Sequence, residues 1–125
     1  MGLVNQPSQT FDKDVTIQVT NFLFPDEGRN FGEDLVARNL QRGLDHGLPG
    51  FCCYYVIYED PNFDCNSGWS EKYNGFSSEN WKLLQTIYKK PSDIDLFTGG
   101  LTQASQNDGL LGNVFSKMIG DFLGL

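Results

Sequence analysis

The sequence predicts a mostly α-helical fold, with four or five helices and one long irregular loop. Three observations predict it. Apolar side chains recur three and four residues apart over 31–46, again over 77–88, and again over 108–123. Period-two alternation covers only a short stretch near residue 15. Hydrophobic residues make up 39% of the chain and aromatics 14%, including ten Phe, which is enough apolar mass to offset chain entropy and form a core. At 125 residues the chain is one domain or a piece of one.

The first segment, Phe11–Phe24, leaves strand and helix equally open. Val15, Ile17 and Val19 alternate with polar residues, as in a strand. Phe11, Val15, Val19 and Phe22 also fall at helical spacing, with Thr10 as a cap. Residues 25–30 read as a loop. Residues 31–46 give a firmer helix. Asn30 is the expected cap and Glu33, three residues on, completes a capping box. Val36, Leu40 and Leu44 form one apolar line, and Arg38 and Arg42 lie toward the negative end of the dipole. Gly47 fits the left-handed position past the last turn, and Pro49 blocks continuation.

Residues 51–76 read as the long loop, with Tyr54–Tyr58 as a short strand. A loop of that length is functional or an insertion. Ser77 or Ser78 starts the next helix, with Trp81, Leu84 and Tyr88 on one face, and Lys89-Lys90-Pro91 ends it. Residues 92–97 read as a helical turn closed by Gly99-Gly100. The final helix, Asp108–Leu123, carries Leu111, Val114, Phe115, Met118 and Phe122 at helical spacing, weakened at Gly112 and Gly120 by about 1 kcal/mol each against Ala. Its apolar surface exceeds what a solvated helix tolerates, so it must pack on something.

Charge and cysteine content narrow the partners. The net charge is −7, spread along the chain, which argues against nucleic acid and anionic membranes as partners. No stretch reaches the ~20 apolar residues of a membrane span. The opening MGLVNQPSQT lacks the basic flank and apolar core of a signal peptide, and Gln6 stands where a myristoylation motif needs Ser or Thr. The three cysteines, Cys52, Cys53 and Cys65, leave one thiol unpaired within the chain, with the pairing open. With one histidine and that cysteine spacing, no zinc site forms and no metal site is expected.

No complete catalytic constellation is present, and no residue here is expected to be catalytic by itself. Asn39 and Arg42, three apart on one helix, are the residues of interest. Asn39 sits between Val36 and Leu40, where a partly buried amide needs a partner. Arg42, at the margin of that face, either pairs with Asp45 in solvent or meets a carboxylate or phosphate. His46 reads as a helix C-cap rather than a ligand. Asp93 and Asp95 read as the first turn of a short helix.

Three blocks resemble those of the animal haem peroxidases. Residues 32–50 (GEDLVARNLQRGLDHGLPG) resemble the family's DLxxxNxQRGRDHGLPGY block, residues 93–101 (DIDLFTGGL) its DIDLxxGGL block, and residues 111–121 its LGPTFxxxIGDQF block. Val15 to Phe24 resemble the family's helix ending in TNxLF. Order and spacing agree over nearly the whole chain. The resemblance implies that residues 1–125 are the C-terminal portion of one peroxidase domain. Haem, hydrogen peroxide and a small-molecule donor would then be its ligands in a longer protein, and the location would be secreted or extracellular. It implies that Asn39 accepts a hydrogen bond from the proximal haem histidine and that Arg42 lies at a haem propionate. The family's proximal histidine, distal histidine and catalytic arginine lie upstream of the matching region. The missing upstream part is therefore the expected partner, and the chain alone is not expected to bind haem.

Departures from the family pattern are specific. Leu44 replaces the second arginine of QRGRDHG, and Phe51-Cys52 replace Tyr-Asn. Cys65 is the nearest match to the cysteine of the family's FCGL block, while Lys117 occupies the position of that cysteine's usual partner. The alternative reading is a truncated or diverged, non-catalytic interaction or structural module.

Overall fold

A computed structural model describes residues 2–7, 12–105 and 109–125. Thr10, Phe11 and Asp108, named above as a cap and as helix ends, lie outside those residues. The fold is mostly α, as predicted. Two single turns, α1 (Gly2–Asn5) and α2 (Ile17–Thr20), precede α3 (Leu35–Asp45). Then come α4 (Phe51–Tyr58), α5 (Ser78–Ile87), α6 (Leu96–Thr102) and α7 (Asn113–Leu123). The ambiguous first segment therefore resolves as one helical turn, with no extended strand among the described residues.

The start of α3 differs from the capping box expected at Asn30. Leu23 and Glu33 pair as an antiparallel bridge, with Glu33 N–H donating to Leu23 O at 2.7 Å. That pairing holds the backbone extended through residue 33, so the helix begins later. Asp34 is the cap, and its Oδ1 accepts from Val36 N–H at 2.8 Å and Ala37 N–H at 3.2 Å. Glu33 instead pairs with Arg38. The far end follows expectation: Gly47 takes φ 62°, and His46 caps α3 by donating its N–H to Arg42 O at 3.1 Å.

The largest correction falls on residues 51–58, expected as loop and strand. They form α4, which starts behind Gly50 and buries Phe51, Cys52 and Tyr55. The run FCCYYVIY shows no one-sided stripe because the helix is apolar on every face. Only one of its faces enters the core, since Cys53 and Ile57 remain exposed. Residues 59–76 remain irregular apart from one short turn at Gly68–Ser70. They are tied to α4 by a Cys52–Cys65 disulfide, which leaves Cys53 free and exposed.

The core is an aromatic cluster between α4, the 63–76 segment and α5. Phe51 stands 5.4 Å from both Tyr73 and Phe76, ring centre to ring centre, and Tyr73 stands 5.2 Å from Trp81. Most of these pairs are edge-on or tilted, the arrangement aromatic quadrupoles favour. Leu84, Ile94 and Val114 close the cluster. Gly99 and Gly100 do not end the short helix, as expected, but lie inside α6. A Cβ on Gly99 would overlap the Phe51 ring, and one on Gly100 the Phe115 ring. The pair lets α6 approach α4 and α7 closely. Gly112 precedes α7 as its cap residue, so of the two glycines expected to weaken that helix only Gly120 lies within it.

Lys117 forms an ion pair with Glu59 at 2.7 Å, and Tyr58 O–H donates to Asp121 Oδ2 at 3.0 Å. These contacts tie α7 to the end of α4. Burial pushes the Tyr73 and Tyr55 phenols above their usual value of 10.0. Their folded-state values are raised, so their contribution is intact below pH 10 and is lost as pH climbs through the folded values. Stability should therefore fall above pH 10 by about 1.4 kcal/mol per pH unit for each of these two tyrosines that ionises on unfolding. Thermal melts from pH 8 to 11 check this, and Tyr73→Phe should flatten the alkaline slope.

Candidate functional site

The described part of α3 buries no residue fully. Its apolar line leads off the core: Val36 and Leu40 are half-buried, and Leu44 is 65% exposed. Beyond that line lies a cavity of about 450 Å³ between α3, the 48–50 turn and the start of α6. That size falls within the ~300–1,000 Å³ of small-molecule and cofactor clefts. Leu40, Leu44, Leu48, Phe97 and Phe115 supply apolar walls.

Asn39 and Arg42 both line this cavity, as their shared helix face requires. Arg42 does not pair with Asp45; the Asp45 carboxylate instead accepts from Gln41 Nε2 at 2.8 Å. Among the described residues neither Asn39 nor Arg42 has a side-chain hydrogen bond or ion pair. An amide and a guanidinium so placed can bind a ligand that offers an N–H and a carboxylate.

Asp93 and Asp95 also line the cavity. Asp95 precedes α6 as its cap residue but makes no side-chain cap bond. Its Oδ2 instead accepts from the Tyr88 phenol at 2.7 Å, and that phenol lies 3.1 Å from the Thr98 hydroxyl. Burial is the main cause that lifts the Tyr88 phenol above its ordinary value. Sequence reading missed this pair: seven residues and a change of element separate the partners, so no local signal joins them.

His46 stays at the end of α3, its Nδ1 2.9 Å from Arg42 O, and is not in the cavity lining. No cluster of three metal-ligating side chains exists among the described residues. The cavity thus combines apolar walls with one amide, one guanidinium and the carboxylates of Asp93 and Asp95, and its lining holds no histidine or cysteine.

An animal haem peroxidase family model matches residues 1–123. Heme peroxidase 2 of Caenorhabditis elegans is 35% identical over 121 residues, covering 96% of this chain and 16% of that protein. Chorion peroxidase of Drosophila melanogaster is 34% identical over 120 residues, covering 95% of this chain and 14% of its own length. Among solved structures, peroxidase A of Dictyostelium discoideum superposes with a TM-score of 0.66 at 29% identity, over 86% of this chain and 20% of that one. The chain belongs to the animal haem peroxidase family. It spans about one sixth of the length of these curated relatives. Among the described residues no helix is long and apolar enough to cross a membrane.

Proposed function

We propose that this chain is the C-terminal portion of a peroxidase domain that oxidises a small donor with hydrogen peroxide, and that its α3 face forms the proximal wall of the haem site. The observation that carries the reading is the meeting of Asn39 and Arg42, both without side-chain partners among the described residues, in one apolar-walled cavity. Haem, when bound, supplies the redox chemistry. Arg42 would hold a propionate through charge-assisted hydrogen bonds. Asn39 would accept the N–H of an axial imidazole carried by the upstream part of the domain, fixing that ring and raising its basicity. Leu40, Leu44, Leu48 and Phe115 would exclude water from the macrocycle. The Cys52–Cys65 disulfide supports a secreted or extracellular setting, where such bonds persist.

Spectroelectrochemistry on an extended protein that includes the axial histidine tests these roles. Asn39→Ala should raise the iron reduction potential and lower turnover, because the imidazole N–H loses its acceptor at a cost of about 1–3 kcal/mol. Arg42→Ala should weaken haem retention with a smaller change in potential. An unchanged potential and turnover in Asn39→Ala would reduce Asn39 to a packed structural amide.

A further inference from the structure

The Tyr88–Asp95 pair is not used by the proximal-wall reading, although one of its members faces the same cavity. Tyr88 ends α5, is half-buried, and packs against the aromatic core. Its phenol meets Asp95 Oδ2 at 2.7 Å, the short length of a bond between a hydroxyl and a charged carboxylate. A carboxylate only accepts, so the phenolic hydrogen belongs to that bond. Asp95 in turn lines the cavity beside Leu96 and Phe97.

A phenol that loses an electron becomes a strong acid. Its oxidation is eased where a base already accepts the phenolic hydrogen bond and can take the proton. The other tyrosines provide the comparison. Tyr73 donates to the Pro91 carbonyl at 3.2 Å, which is no base. The Tyr55 oxygen accepts from Asn74 N–H at 2.9 Å. Tyr58 does meet a carboxylate, that of Asp121, but neither residue lines the cavity. Tyr88 alone joins a carboxylate base to the cavity wall among the described residues.

We propose that Tyr88 and Asp95 form a proton-coupled oxidation site. The Tyr88 phenol gives one electron to an oxidant in the cavity and its proton to Asp95 Oδ2, leaving a neutral phenoxyl radical and a protonated carboxyl. An electron-rich donor outside the cavity then returns the electron, and Asp95 returns the proton, which restores the pair. The site would carry oxidising equivalents from the cavity to donors too large to enter it. For its oxidant, a haem oxidised by hydrogen peroxide, the proposal rests on the reading above.

The test needs no haem, so its outcome is separate from the fate of that reading. The full 125-residue chain is oxidised with photogenerated tris(bipyridine)ruthenium(III) in the presence of a nitroso spin trap, and the adducts are located by mass spectrometry. The expected result is a trapped radical on Tyr88 that Asp95→Asn abolishes, while the adduct on Tyr58, whose own carboxylate partner is untouched, persists as the internal reference. Asn at 95 keeps the size and one acceptor oxygen but is no base. Tyr88→Phe, which keeps the ring in place, should remove the same adduct, and its near-UV dichroism should still report a packed core. Deuterated water should slow radical formation at Tyr88 in the unaltered chain. Absence of a Tyr88 adduct in the unaltered chain, or its survival in Asp95→Asn, would overturn the proposal.

Discussion

Replacing Phe51 by alanine should cost about 3–5 kcal/mol of stability, the range for truncating a fully buried aromatic side chain. Phe51 is wholly shielded from solvent and meets Tyr55, Tyr73 and Phe76 ring to ring. It also fills the space that Gly99 leaves open on α6. Its removal therefore opens a hole shared by α4, α6 and the 73–76 segment, and few of these neighbours can collapse into it. Against a total stability of about 5–15 kcal/mol, the loss leaves a marginal fold. Urea unfolding followed by tryptophan fluorescence reads the change, since Trp81 packs on Tyr73 and Phe76. Phe51→Leu should recover much of the loss, and a midpoint unchanged in Phe51→Ala would show that the aromatic cluster is not the core.

Breaking the Cys52–Cys65 bond should cost about 3 kcal/mol, the chain-entropy value for a loop of this order. The two residues are 13 apart in sequence. The segment they close carries Phe63, and the disulfide lies directly against the cluster, with Cys52 1% exposed. Cys52→Ala with Cys65→Ala should lower the midpoint of unfolding with little change in helical dichroism. Mild reductant should do the same to the unaltered chain. Equal stability of the oxidised and reduced forms would contradict the pairing.

How much of this was legible in the sequence depended on where the signal lay. Helices α3, α5 and α7 each bring their own stripe or caps, and their C-terminal ends follow from the residues to within a turn, whereas α3 and α7 begin later than their apolar spacing suggests, at Leu35 and Asn113. The Asp34 cap was displaced from Asn30 by the Leu23–Glu33 bridge, a contact between segments that no local pattern encodes. Helix α4 is hidden for the opposite reason: its residues are apolar all round, so no polar face marks the periodicity of a helix, even though Cys53 and Ile57 stay exposed. Gly99-Gly100 looks like punctuation in the sequence, whereas two ring contacts across helices explain it. The site divided in the same way. Asn39 and Arg42 could be placed together because both sit on one helix face. That Asp95 joins them, and that Tyr88 backs it, required the packing of α6 against α3 and the reach of Tyr88 to Asp95 across the turn between α5 and α6.

If α3 supplies one wall of a haem site, as proposed, the iron's protein ligand must come from elsewhere in the domain. A haem titration followed in the Soret band tests this. It is run on the 125-residue chain and on the same chain joined to an upstream peroxidase region that carries the axial histidine. The expected result is a stoichiometric Soret shift and peroxide turnover in the joined protein only, with binding weakened by Arg42→Ala. A sharp one-to-one shift with turnover in the 125-residue chain by itself would contradict it and would place an iron ligand within these residues.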